Sequence, residues 1–223
     1  HPGVKLEYYV QVTDNDQVPQ PKSARTSTFI FKYPDPSEVQ KSIEETSQQV
    51  QSQMKSSLTK AEELKKSLEQ NEDKTKLKKE LSYQDKKALQ VLAEKKKALQ
   101  EDLEAMKKMN EQLTQQQERF SPQNEKLVEK REQLQKMMDQ LLDDETKKLY
   151  EELEKLLQQK QPNPAQIQPL LDKLNNKEEN LQKELDRLLE MFKQLQVEQK
   201  LDNALQKLDD LAKKQEDLAN KTG

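Results

Sequence analysis

Polar and apolar residues alternate along this chain in two rhythms, one of helices and one of strands. Leu89, Leu92, Lys96, Leu99, Leu103, Met106, Asn110, Leu113, Gln117 and Phe120 step by three and four without a slip. That spacing holds one stripe of a helix against a partner and predicts a helix over residues 82–120. Lys96, Asn110 and Gln117 occupy a positions of the heptad, where polar groups cost stability but fix register and partner number. The flanking e and g residues lack the alternating charges of a two-stranded zipper, so a simple parallel dimer through this stripe is disfavoured. Val91, Ala98 and Ala105 recur every seven residues on the opposite side. They predict a second, close helix contact, although alanine is also simply the best helix former.

The same rhythm extends both ways. Pro34 and Pro36 stop what precedes them, and Ser37 with Gln40 reads as a capping box that opens a helix over 37–70. Its buried side is Val39, Ile43, Val50, Met54, Leu58, Ala61, Leu64 and Leu68, with a slip near Val50 to Met54. Residues 70–80 are almost without apolar side chains and predict a turn, after which Ser82 with Asp85 caps the next helix. Ser121 and Pro122 suit the start of a helix over 122–160. Its expected stripe is Leu127, Leu134, Met138, Leu141 or Leu142, Leu149, Leu153 and Leu156. Asn163 with Gln166 caps a short helix over 164–174, and Asn175 and Asn176 make a joint. A last helix over 177–221 buries Leu181, Leu185, Leu188, Phe192 and Leu195, then restarts one residue out of phase at Leu201, Leu205, Leu208 and Ala212.

Ahead of the helices the period is two. Val4, Leu6, Tyr8, Val10 and Val12 face one way and Lys5, Glu7, Tyr9, Gln11 and Thr13 the other, and residues 26–33 form a matching strand with Phe29, Phe31 and Tyr33 on one side. Residues 14–23 read as their connection. The expected domains are therefore a two-strand β-hairpin at 1–33 and a long-helix region at 34–223. The fold class is mainly α, an elongated antiparallel bundle of coiled-coil hairpins with helices of roughly 50 to 65 Å. A hairpin alone is marginal in water, so the strands read as the end of a sandwich continued before residue 1, or as leaning on the helices.

Composition narrows the functions. The chain is 36% charged and 4% aromatic, with no cysteine, and its bias to Leu, Lys, Glu and Gln belongs to long helices and coiled coils. A net charge of −3 with interleaved signs argues against nucleic acid, which needs concentrated Lys and Arg. No apolar run is long enough to span a bilayer, and no signal peptide is present. The chain begins His1-Pro2-Gly3 without a start methionine, which reads as a piece of a longer protein.

Candidate chemistry is sparse. Glycine occurs only at Gly3 and Gly223, so no phosphate-cradling loop can be built from it. The single histidine, His1, leaves neither a His-containing triad nor a histidine metal site. Asp143-Asp144-Glu145 and Glu151-Glu152 pair carboxylates, but catalytic pairs need a dry pocket that splits their pKa values, and solvated helix faces are the expected reading. Asp14-Asn15-Asp16 clusters oxygen ligands of a kind that suits calcium, without the glycine and further acids of an EF-hand loop, and reads better as a side-chain-to-backbone turn. Met106, Met109, Met137 and Met138 suit core filling before an adaptable binding surface. No catalytic, cofactor-binding or metal residues and no cofactor are expected.

Two regions, the strands and the helices, carry a resemblance. Tyr8-Tyr9-Val10-Gln11-Val12-Thr13-Asp14-Asn15-Asp16 with Pro21-Lys22-Ser23-Ala24-Arg25-Thr26-Ser27-Thr28-Phe29 resembles the last strand pair of an immunoglobulin-like domain in a family of very large Bacteroidota envelope proteins of unknown function. Phe120-Ser121-Pro122-Gln123-Asn124, the stretch from Lys183 to Leu195 around Leu185-Asp186-Arg187, Glu198-Gln199-Lys200-Leu201 and the stretch from Leu211 to Leu218 are similar to the helical part of that family. The resemblance implies membrane-spanning segments upstream, a periplasmic location for this part of a membrane-anchored protein, and no assigned activity. The expected role is non-enzymatic spacing and protein–protein contact, with unidentified protein partners, no small-molecule substrate, and membrane contact only through segments outside this chain. The alternative is a chaperone-like or adaptor bundle that holds a client peptide or partner helix in a groove.

Overall fold

A computed structural model describes residues 5–15, 22–32, 35–120 and 124–222. The order is β1 (Lys5–Tyr8), β2 (Gln11–Thr13), β3 (Ser23–Arg25), β4 (Phe29–Lys32), α1 (Pro36–Thr75), α2 (Tyr83–Phe120), α3 (Glu125–Gln140), α4 (Asp144–Leu157) and α5 (Pro164–Thr222). The fold is mainly α with a short antiparallel hairpin ahead of the helices. Two compact units result, residues 1–45 and 46–223.

In the first unit β1 pairs with β4 and β2 with β3, both antiparallel. Tyr8 faces Phe29 and Gln11 faces Arg25, so two residues on one strand oppose three on the other. That is a β-bulge, which bends the ribbon. Across it Thr26 takes both roles, its amide donating to the Val10 carbonyl at 3.0 Å and its hydroxyl accepting from the Val10 amide at 3.1 Å. Strand pairing therefore reaches back from the expected start at residue 26 to Ser23, the last residue of the expected connection, because Thr26 carries the pairing past the irregularity. Leu6 with Phe31 and Tyr8 with Phe29 share one face, the latter rings stacked 5.5 Å apart. Arg25 lies 3.9 Å over the Tyr9 ring, a contact of the cation–π kind. Val4 and Tyr33, expected at the strand ends, lie outside the described residues.

The second unit is an antiparallel bundle, and its register can be read from side-chain pairs. Lys60 meets Asp102 and Ser67 meets Lys95, so α1 and α2 run oppositely. Asn110 meets Gln135 and Lys107 meets Asp139, setting α3 against α2. Lys96 lies over the Tyr150 ring, continuing the same register into α4. α5 runs against both α1, through Thr75 with Gln168 and Ser47 with Gln196, and α3, through Lys130 with Glu198. Short connections between long helices favour this up-down-up-down arrangement.

The α2 stripe is buried as its spacing predicts from Leu89 to Gln117, while Phe120 is about half exposed. Val91, Ala98 and Ala105 lie on the exposed side, so the second stripe is not a contact. In α1 the buried positions Val50, Met54, Ser57, Ala61, Leu64 and Leu68 keep one unbroken phase. The slot expected for Leu58 goes to Ser57. The apparent slip of register disappears.

Helix boundaries differ from the sequence expectation where polar side chains find partners in the fold. α1 opens at Pro36, one residue earlier than expected, and its cap is Asp35 instead of Ser37, the Asp35 carboxylate accepting from the Ser37 amide at 2.8 Å. It also runs on to Thr75, whose buried hydroxyl donates back to the Asn71 carbonyl at 2.9 Å. Ser82 and Asp85 form the expected reciprocal cap, with amide-to-side-chain bonds of 2.9 and 3.2 Å, and Lys78 adds an ammonium at 2.7 Å. Asp85 is held down from an ordinary 3.8 to about 2 by Lys78 and then Ser82. α3 begins at Glu125, capped by Asn124. Ser121 and Pro122 lie outside the described residues.

The expected single helix over 122–160 is two. Asp143 caps α4 by accepting from the Glu145 amide at 2.9 Å and the Thr146 hydroxyl at 2.9 Å. The break resets the phase of the stripe, so Thr146, Tyr150 and Leu157 are buried in place of Leu149 and Leu156, while Leu153 is buried as expected. Conversely the expected helices 164–174 and 177–221 are one. Asn163 caps it as expected, but Asn175 and Asn176 do not interrupt it: Asn175 donates to Glu72 at 3.2 Å, and buried Leu170, Leu171, Leu174 and Leu181 hold both sides of the joint to the core. Tertiary packing overrides the weak local preference of asparagine for turns.

Candidate functional site

Most of the bundle core is aliphatic, which makes its charged residues conspicuous. Lys96 on α2 and Glu178 on α5 are both buried, their side chains 6% and 0% exposed. The Lys96 ammonium stands 2.8 Å from one Glu178 carboxylate oxygen and donates to the other at 3.0 Å. Tyr150 on α4 closes the group, its ring 5.9 Å from the Lys96 ammonium. Its hydroxyl has no hydrogen bond of normal geometry among the described residues. Burial, followed by the neighbouring Glu178 carboxylate, pushes its pKa well above the ordinary tyrosine value. The phenol therefore stays protonated at neutral pH.

Beside this centre lies a cavity of about 160 Å³ bordered by Lys96, Gln100, Asp143, Thr146 and Lys177. Lys177 reaches Asp143 at 3.0 Å and also pairs with Glu145. Burial works to raise the Asp143 pKa, but Lys177 and the bonds from the Glu145 amide and Thr146 hydroxyl outweigh it and hold the carboxyl below its ordinary value. Glu145 first and Asp143 second raise Lys177. The acidic cluster 143–145 is thus a helix cap tied to α5. Glu151 and Glu152 are exposed on α4.

Every charge in this arrangement is spent on another side chain. Lys96 neutralises Glu178, the carboxylate beside the Tyr150 hydroxyl, and Lys177 neutralises Asp143 and Glu145. The geometry suits fixing which helices meet and at what level, the role best attested for buried polar groups. Asn110 does similar work, donating to Gln135 at 3.0 Å, and Arg131, which no stripe assignment included, reaches Gln199. Lys96 was legible as a polar a residue; Glu178 was not, because it sits among the charges of a Lys-Glu-Glu-Asn run.

The remaining sequence candidates are dispersed. Asp14 accepts from the Lys22 amide at 2.8 Å, a side-chain-to-backbone bond between the two strands, and Asp16 lies outside the described residues. No group of three metal-ligating side chains occurs among the described residues. Met106 and Met138 are buried in the core, and Met109 and Met137 are partly covered. His1 is outside the described residues. No protein-family model matches the chain, and no curated protein or solved structure is similar to it.

Proposed function

We propose that this chain is a non-enzymatic scaffolding segment, a bundle that closes on its own core and carries its contact surfaces elsewhere. The observation behind this reading is the distribution of exposed large apolar side chains. They concentrate on the hairpin, at Leu6, Tyr8, Val10, Val12, Phe29 and Phe31, and on the last part of α5, at Leu201, Leu205, Leu208 and Leu211. Within the bundle such residues are scattered singly, which is ordinary for a protein surface. A client-binding adaptor would instead keep an apolar groove. The groove between α2 and α4, about 430 Å³, is bordered by Lys97, Glu101, Glu104, Lys147, Glu151 and Glu154, a poor lining for an apolar helix.

In this reading the segment belongs to the periplasmic part of a membrane-anchored envelope protein, the hairpin ends an immunoglobulin-like domain, and membrane attachment lies in segments outside this chain. The resemblance of the strand text and of the Leu185-Asp186-Arg187 stretch supports that placement. Among the described residues no helix is long and apolar enough to cross a membrane. Photo-crosslinking amino acids placed in native cells at Val12 and Leu208, against Val91 and Lys97, test the assignment. Protein adducts are expected from the first two; adducts confined to Val91 and Lys97 would replace the scaffold with a client-binding bundle.

A further inference from the structure

α5 has 59 residues and outruns its neighbours. Through Gln199 its buried positions follow one phase, Leu181, Leu185, Leu188, Phe192, Leu195 and Gln199. Continued, that phase falls on Asp202 and Gln206, which are partly covered, and Asn124 at the start of α3 donates to Asp202 at 2.8 Å. The apolar residues have moved by one position, a rotation of about 100° around the helix. Leu201 and Leu205 consequently point away from the bundle, Leu208 and Leu211 lie on the same stripe where every residue of α5 is exposed, and the four are 60%, 62%, 62% and 60% exposed. The helix stays continuous while its apolar face turns outward.

The flanks of this face are sorted by sign. With Leu201 and Leu208 at heptad a, Lys207, Lys214 and Lys221 line one side of the stripe at g. Asp202, Asp209 and Glu216 line the other at b. Two such helices side by side in parallel bring the basic flank of each against the acidic flank of the other, Lys207 opposite Asp209 and Lys214 opposite Glu216 within a turn of the same height. Antiparallel pairing sets lysine against lysine and acid against acid. Charge complementarity therefore selects both partner and direction. We propose that residues 201–216 of α5 pair in parallel and in register with the same residues of a second copy of this chain, an isologous contact.

This deepens the scaffolding reading by naming one partner, and rests on that reading only for the arm being a contact surface. Sedimentation equilibrium on the whole chain tests it. The expected mass rises with concentration from 26.2 kDa to twice that value. Leu208→Asp with Leu211→Asp should abolish the dimer while leaving the melting of the bundle unchanged, since neither side chain enters the core. Lys207→Glu with Lys214→Glu should also be monomeric alone, and should dimerise one-to-one when mixed with Asp209→Lys plus Glu216→Lys. The chain has no cysteine, so Gln215→Cys at a reports direction: facing a positions crosslink to completion on oxidation only in the parallel, in-register pair. A wild-type monomer at every concentration, a dimer that survives the leucine-to-aspartate changes, or a Gln215→Cys dimer that does not crosslink would each overturn the pairing. None of these would bear on the adduct pattern that decides the scaffold itself.

Discussion

The two parts of α5 are the same helix with nearly the same composition, yet one is core and the other surface. From Leu170 to Leu195 the leucines recur in the phase set by α1 and α4 and are buried. From Leu201 onward they recur at the same spacing and are exposed. What differs is a one-residue shift near Val197 to Lys200, which redirects the stripe without breaking a backbone hydrogen bond. Apolar content does not decide burial here: phase relative to the neighbouring helices does at Leu201 and Leu205, and from Lys207 on α5 has outrun those helices and every position is exposed.

The contrast can be broken most forcefully by a charge. Leu185→Asp places a carboxylate in a dry seam, and a loss of about 4 kcal/mol or more is expected in urea unfolding. Leu205→Asp, at the same spacing beyond the shift, should change stability by less than about 0.5 kcal/mol in dilute solution. Equal losses would show that the arm is packed as the core is.

Second in size is the charge pair that ties α5 to α2. Glu178→Leu strands Lys96 without its counter-ion and should cost about 3–5 kcal/mol, whereas Lys96→Met with Glu178→Leu together should be near neutral or stabilising. A double-mutant cycle in chemical denaturation measures the difference. If the double variant is as unstable as the single, the pair is a net source of stability rather than a device for register.

A smaller effect belongs to the α2 cap. Asp85→Asn should cost about 1–2 kcal/mol at neutral pH. Because the folded carboxyl titrates at about 2 against an ordinary 3.8, its contribution is complete above the ordinary value and is lost as pH falls through about 2. The gap between Asp85→Asn and the native chain should close over that window. Smallest is Tyr150→Phe, which removes a hydroxyl without a proper bond and should leave neutral-pH stability nearly unchanged. Its pKa is raised in the fold, so the tyrosine favours folding below the ordinary titration range and ceases to as pH rises through it. The variant should lose less stability in alkali than the native chain, as thermal melts at increasing pH will show.

Sequence alone was a good guide where phase is continuous and a poor one where structure changes phase. The α2 stripe reads directly because Leu89 to Gln117 never slips. Leu149 and Leu156 look buried if a single helix runs through Leu141, and only the Asp143 cap, with Lys177 brought to it from α5, reveals the change of phase. Asn175 looked like a joint because its partner, Glu72, is distant in sequence. Glu178 was invisible because it sits among the charges of the run Lys177-Glu178-Glu179-Asn180. The shift at Val197 to Lys200 and the continuity of the helix through it were legible, but not that the face turns outward.

Hydrogen exchange along α5 in dilute solution tests the central claim most directly. Amides near Leu185 to Leu195 should exchange only through opening of the whole bundle, while those near Leu205 to Ala212 should exchange through local fraying, many-fold faster. Uniform, globally limited protection through Ala212 would contradict the account, because it would mean that the outward-turned leucines are held by the bundle after all.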